Sequence, residues 1–289
     1  MIRKAAVAGQ FYGGTQASCL SELDQCLSPE PIEGDLPDPI VAGIVPHAGW
    51  VFSGDLAAKV FQAIRQVNGQ VDTFIIFGAA HRCFGGRAVV YDKGAWETPL
   101  GRCRIDEELA AQLVEIGAEA DLSAHQSEHS IEVQVPFIQH LFPDARIVPV
   151  IVPVYGFDHT FGTHVGERIA KTENKKIVCI GSTDLTHYGP QYGFYPEGTG
   201  PEAIRWAHQV NDMEFINHTI QMDAENIVAL ATEKQNACGP AAVATTISAA
   251  RAMGAVHGIL IGHTTSSDIM RKKFGRSTSE SVGYAGIVF

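Results

Sequence analysis

The stretch VAGIVPHAGWVFSG, Val41–Gly54, decides the reading of the fold. A short run of branched apolar residues stops at Pro46, and His47 follows it directly, before Gly49, Trp50, Phe52 and Gly54. An unbroken apolar run, rather than an alternating one, is what a strand covered on both faces needs. The imidazole therefore stands where a buried strand ends. On its own it reads equally as a packed core histidine, a helix cap or a metal ligand.

Other runs repeat the pattern outward from this stretch. PIVAGIV (Pro39–Val45), DTFIIFG (Asp72–Gly78) and KIVCIGS (Lys176–Ser182) read as buried parallel strands, and RIVPVIV (Arg146–Val152) and AVHGILIG (Ala255–Gly262) look similar. SVGYAGIVF (Ser281–Phe289) closes the chain as an edge or final strand. Between them lie helical patterns. SGDLAAKVFQAIRQV has Ser53 at its entry and an apolar face of Leu56, Val60, Phe61 and Ile64. DEELAAQLVEIG opens on acids and stops at Gly117, while CGPAAVATTISAARAMG has Pro240 in its first turn and Gly254 at its end. Alternating strands and helices predict an α/β fold with a mainly parallel central sheet flanked by helices, as a single domain over 1–289. The loop-rich stretch from Tyr188 to Pro201 is the candidate for a mobile lid.

Composition narrows the function. The chain has 289 residues, 45% of them apolar and 18% charged, enough for a sizeable core. A net charge of −11 with no dense basic run argues against nucleic acid, since phosphate binding needs clustered Lys and Arg. The largest basic run, RKKFGR at Arg271–Arg276, reads as a solvated loop. No apolar stretch suggests a signal peptide or a membrane span. Six cysteines without CxxC spacing read as the reduced thiols of a cytoplasmic protein.

The polar residues then gather at strand ends. His47 follows the first strand, His81 the second in GAAHRC, and Asp184 and His187 come after KIVCIGS in TDLTHYG. Ligands of open α/β sheets bind outside the carboxyl ends of strands. Packing gives no reason to repeat imidazole at three such ends, whereas neutral imidazole is the commonest protein metal ligand and suits Zn, Fe, Cu or Ni. In SAHQSEHSIEVQVPF, His125-x-x-Glu128-His129 has the bare H-x-x-E-H form of inverted zincins. A peptidase there would leave the strand-end histidines unexplained, so Glu128 and His129 fit better as groups that support a ligand imidazole. Cys238 sits immediately before a helix, where the positive N-terminus stabilises thiolate, and reads as a ligand or a nucleophile.

Together AGQFY, PHAGWVFSG, GAAH, WETPLG (Trp96–Gly101), EHSIEVQVPF, STDLTHYG and ACG resemble the Memo family in order and spacing, over essentially the whole chain. Members are also called AmmeMemoRadiSam system protein B, which implies a radical-SAM protein and an Ammecr-type protein as partners. The resemblance implies a class III extradiol dioxygenase-like fold, of the LigB type. It also implies a metal site of His47, His81 and Cys238, with His187 and Asp184 as further site residues. A thiolate in place of the dioxygenases' carboxylate is softer and favours Fe(II), Cu or Zn over Mg or Mn. Trp50 stands where many members carry Tyr, a difference in pocket shape.

The leading expectation is a metalloprotein with Fe(II), or else Cu or Zn, and redox chemistry on an unknown small molecule or an oxygen species. His187 would serve as acid/base, oriented by Asp184. The alternatives are a binding or scaffold protein that uses the pocket for a peptide or partner, and a zinc hydrolase.

Overall fold

In the computed structural model, residues 1–81, 85–154 and 158–289 are described. Four strands, β1 (Ala42–Val45), β2 (Thr73–Ala79), β3 (Arg146–Val152) and β4 (Ile177–Ser182), run parallel in the spatial order β1-β4-β2-β3. Every residue of these strands except Arg146 is buried, which accounts for their unbroken apolar sequences. Antiparallel strands flank this centre. β6 (Ser281–Val288) pairs with β5 (Ile259–Thr265), with β1 near its end and with the short strand His187–Tyr188 at its start. Beyond β3, Val89–Val90 runs antiparallel to it, and Glu119–Ala120 pairs with Val89–Val90 at the far edge. A separate small sheet joins Ile2–Arg3, Ala95–Thr98 and Gly101–Arg104.

The α/β expectation therefore holds, with the long parallel strands at the sheet's centre and antiparallel pairing on either side of them. Two strand readings change. AVHGILIG supplies an antiparallel, half-buried strand that begins only at Ile259, not a buried parallel one. SVGYAGIVF is the final strand but no edge: it is paired on both sides and buried from Ser281 to Val288. RKKFGR is not a loop throughout, because Arg271–Phe274 form the exposed last turn of helix Ser266–Phe274.

Helices cover both faces, and two glycines show how closely. A Cβ on Gly43 of β1 would collide with Val60 of α1 (Trp50–Asn68). One on Gly181 of β4 would collide with Thr246 of the helix Pro240–Ala252. Ile44, not Gly43, pairs with Gly181, so these contacts lie on opposite faces of the sheet. The helix α1 begins three residues before Ser53, with Gly49 as its cap; the Ser53 hydroxyl bonds back to the Ala48 carbonyl at 3.0 Å. Helix Pro240–Ala252 is buried through Ala250. It carries small Ala and Thr side chains whose hydroxyls at Thr245 and Thr246 are satisfied by carbonyls one turn back.

Arg3 ties the N-terminus to the segment beside the sheet's carboxyl edge. Fully buried, it donates to Glu132 at 2.6 Å and to the carbonyls of His125 and Glu128 at 2.7 and 2.8 Å, and it lies 4.0 Å above the Trp96 ring. Glu132 in turn accepts from the amides of Ala6 and Val7 and from the Tyr12 hydroxyl, so no part of this buried charge pair is unpartnered.

Candidate metal centre

His47, His81 and Asp184 each lie two residues beyond the last residue of β1, β2 and β4. Those strands are adjacent in the sheet, in the order β1-β4-β2, so their loops open on one edge. Cys238 reaches the same place from elsewhere. Leu185 bridges Ala237, and the Cys238 amide donates to the Asp184 carbonyl at 3.2 Å, which ties the cysteine's loop to the one after β4.

Ligand atoms of His47, His81 and Cys238 all lie within 4.8 Å of one another. His47 Nε2 stands 3.2 Å from Cys238 Sγ. The tautomers can be deduced. The Ser182 hydroxyl donates to the Ser130 carbonyl at 2.8 Å, so its oxygen is left to accept from His47 Nδ1 at 3.1 Å. That places the proton on Nδ1 and the lone pair on Nε2, facing the sulfur. His81 Nδ1 lies 2.9 Å from Glu128 Oε1, and a carboxylate accepts, so His81 likewise keeps its Nε2 lone pair for the cleft.

The electrostatics agree with this assignment. Burial, reinforced by His81 and His129, holds the His47 pKa well below the ordinary imidazole range. At His81 burial opposes the charge, but the hydrogen bond and the charge of Glu128 outweigh it and raise the pKa. Glu128 is pushed by burial in one direction and by His81 and the Ser130 amide in the other, and ends at about 2. It is an anion at neutral pH, and it makes the His81 ring a stronger donor.

Cys238 departs from the sequence expectation. Burial, then the Asp184 carboxylate, raises its pKa, so the helix N-terminus alone does not make it a thiolate. Without a cation the thiol proton stays on sulfur, with His47 Nε2 at 3.2 Å and the Asp184 carbonyl at 3.6 Å as its acceptors. The Asp184 amide donates to the same sulfur at 3.3 Å, a contact that strengthens when the sulfur is anionic. Two imidazoles that a cation would hold neutral, and one thiol that it would deprotonate, form a donor set suited to a borderline-soft first-row ion.

A second group, His81, Glu128 and His129, also has ligand atoms within 4.8 Å. Its geometry is poorer. The His81 and His129 rings are stacked, 4.5 Å apart and 24° from parallel, so their in-plane lone pairs run side by side. The His47 and His81 rings meet edge-on at 88°, the arrangement that lets two lone pairs converge. His129 thus covers the face of His81 and meets the Phe11 ring at 5.0 Å.

The two imidazoles open on a cleft of about 600 Å³, walled by Phe11, His129, Asp184, His187 and Tyr192 among others. His187 Nδ1 lies 3.0 Å from the Leu185 carbonyl, which fixes the proton there and leaves Nε2 without a hydrogen-bond partner among the described residues. Asp184, expected to orient His187, hydrogen-bonds instead to the amides of His47 and Ala48 at 2.7 and 3.2 Å. It holds the His47 loop and acts on His187 through space. The stretch from Tyr188 to Pro201 is cross-tied, with the Gly189 amide on Phe194 and the Tyr188 hydroxyl on Gly198, and it brings Tyr192 edge-on to His187.

Ser182 and Arg3 were missed in the sequence. Ser182 is the last residue of an apolar strand, and nothing in KIVCIGS shows that its hydroxyl faces an imidazole. Arg3 looks like any charged residue near a terminus. Of the six cysteines, Cys83 lies outside the described residues, and the other five are free. Among the described residues no helix is long and apolar enough to cross a membrane.

Comparison with known proteins matches this sequence to a family. The family model described as Memo-like protein matches residues 3–288. A MEMO1 family protein of Thermococcus onnurineus is 38% identical over 301 residues, covering 100% of this chain and 99% of that protein. A second from Pyrococcus furiosus is 37% identical over 298 residues, and a third from Methanopyrus kandleri 36% over 303, each with the same coverage. With the match running from Arg3 to Val288 and taking in every strand-end residue described above, the chain belongs to the Memo family.

Proposed function

We propose that this protein is a redox metalloprotein in which His47, His81 and Cys238 hold a single Fe(II), with Cu or Zn as competing occupants, and that its cleft takes a small polar molecule. The observation that carries the reading is the convergence of two lone pairs of fixed tautomer on one thiol, beside a cleft. Three protein ligands leave positions on the ion for an incoming molecule, as reactive sites require and structural sites do not. When bound, the ion would supply a redox couple and a Lewis acid, softened by the thiolate. The residues supply the rest. Ser182 and Glu128 keep protons on the far sides of the two imidazoles, and Asp184 fixes the His47 loop through two backbone amides. His187, with its Nδ1 proton held by Leu185, would take or return a proton at Nε2 on the cleft side.

Protein purified without oxygen and analysed for Fe, Cu and Zn tests this reading. Near-stoichiometric iron supports it, and stoichiometric copper keeps the redox class with a different ion. Zinc as the sole tightly held metal would move the reading to hydrolysis. No retention under any reconstitution would leave a binding protein that uses the pocket without a metal.

A further inference from the structure

His47 and His81 open on the main cleft, but Cys238 does not. It opens on a separate cavity of about 450 Å³ on the other side of His187 and Tyr192. These two side chains line both spaces, and their rings meet edge-on at 5.3 Å, so together they form the partition. Phe194, Ala231, Thr232 and Gln235 supply much of the remaining wall. We propose that this cavity is a second ligand site, which brings a small uncharged molecule to the sulfur side of the centre while the main cleft holds a polar one.

Charge separates the two spaces. Among the described residues the second cavity is lined by no Asp, Glu, Lys or Arg, whereas the main cleft carries Asp184 and Glu280. An ion entering the second cavity would lose hydration without gaining a counter-charge, and a neutral molecule would lose little. Its volume falls within the ordinary range of small-molecule sites, roughly 300–1,000 Å³. Gln235, at φ 49°, holds the left-handed conformation at the helix end beside this cavity, three residues before Cys238. Non-glycine residues kept there are concentrated at ligand sites. A redox centre that must meet two reactants gains from two entrances, because neither has to leave before the other arrives. That role rests on the metal reading above; the cavity's access to the thiol does not.

Alkylation of the metal-free protein separates the two claims. Iodoacetamide forms an S–C bond with Cys238, iodide leaves, and the thiol proton passes to solvent. Labelling is read on the Cys238 peptide by mass spectrometry. Thr232→Trp, at an exposed position on the cavity wall, should slow it by about tenfold, and Phe194→Ala should accelerate it. Met270→Trp, which fills the main cleft, should leave it within about twofold. Anionic iodoacetate should be disfavoured relative to iodoacetamide well beyond their ratio on free cysteine. Slowing by Met270→Trp but not by Thr232→Trp would show that the thiol is reached through the main cleft and would overturn the proposal. So would a thiol that neither reagent labels in the folded wild type, or equal selectivity for the two reagents. Each result stands whether or not the centre binds iron.

Discussion

His47 Nε2 and Cys238 Sγ lie 3.2 Å apart although 191 residues separate them in the chain. The contact exists because β1 and β4 are neighbours, and the loop after β4 is bonded to the loop that carries the cysteine. A cation entering here replaces the thiol proton, so the sulfur should matter more to metal retention than any other cysteine. Cys238→Ser should weaken binding by more than about 100-fold, since a hydroxyl is a harder and poorer ligand. Cys103→Ser and Cys179→Ser, whose thiols are buried in the core and raised to about 12, should retain wild-type affinity in the same competition titration. Equal retention by all three variants would make Cys238 a packed turn residue.

Glu128 should act on metal affinity without touching the ion. It holds the proton of His81 at Nδ1, so Glu128→Gln keeps the shape but lets the amide present either a donor or an acceptor to the ring. A loss of about 10–100-fold in affinity is expected, the usual range for a partner of a ligand imidazole. Unchanged affinity would show that the His81 orientation is set by stacking on His129 alone.

His187 should be separable from the ligands. With Nδ1 committed to Leu185 and the ring on the cleft wall, His187→Ala should leave metal stoichiometry nearly unchanged and abolish any turnover the protein shows. Loss of metal as severe as in His47→Ala would place His187 among the ligands.

How much of this was legible in the sequence differs from residue to residue. His47, His81 and Asp184 stand out because each follows an apolar run that can only be a covered strand, and the polarity breaks there. That β1, β4 and β2 lie side by side is a property of topology, and the intervening sequence carries no trace of it. SVGYAGIVF reads as an edge or final strand because it closes the chain, and only the second half of that reading holds. Its position between β1 and β5 follows from packing on α1, where Gly286 leaves room for Leu56 and Val60. The thiolate expectation at Cys238 weighed only the helix end; burial and Asp184, both tertiary, prove stronger. Ser182 and Arg3 were illegible for the same reason, since a buried polar side chain is defined by its partner.

Acid should destabilise the fold through His125. The ring is buried, its Nε2 proton goes to the Val89 carbonyl at 3.1 Å, and Nδ1 has no partner among the described residues, so a second proton there meets burial and the nearby Arg3, which outweigh Glu128 and Asp121. Burial is the main cause of its low pKa, about 3, against 6.5 for an ordinary imidazole. Between those values the unfolded chain binds a proton that the native state does not, so stability falls as pH drops below 6.5. This one group contributes a slope approaching about 1.4 kcal/mol per pH unit. Denaturant titrations of His125→Gln should show a shallower fall from pH 6 to 4 than the wild type, whatever their offset. Parallel curves would mean that other groups carry the acid sensitivity.

The most direct test is X-ray absorption at the metal edge of zinc-loaded wild-type protein, with Cys238→Ser beside it. The expected result is one ion per chain with a single sulfur neighbour at about 2.3 Å and two imidazoles, the sulfur shell vanishing in the variant. A wild-type shell of nitrogen and oxygen alone, or a sulfur shell that survives Cys238→Ser, would contradict a centre built from His47, His81 and Cys238.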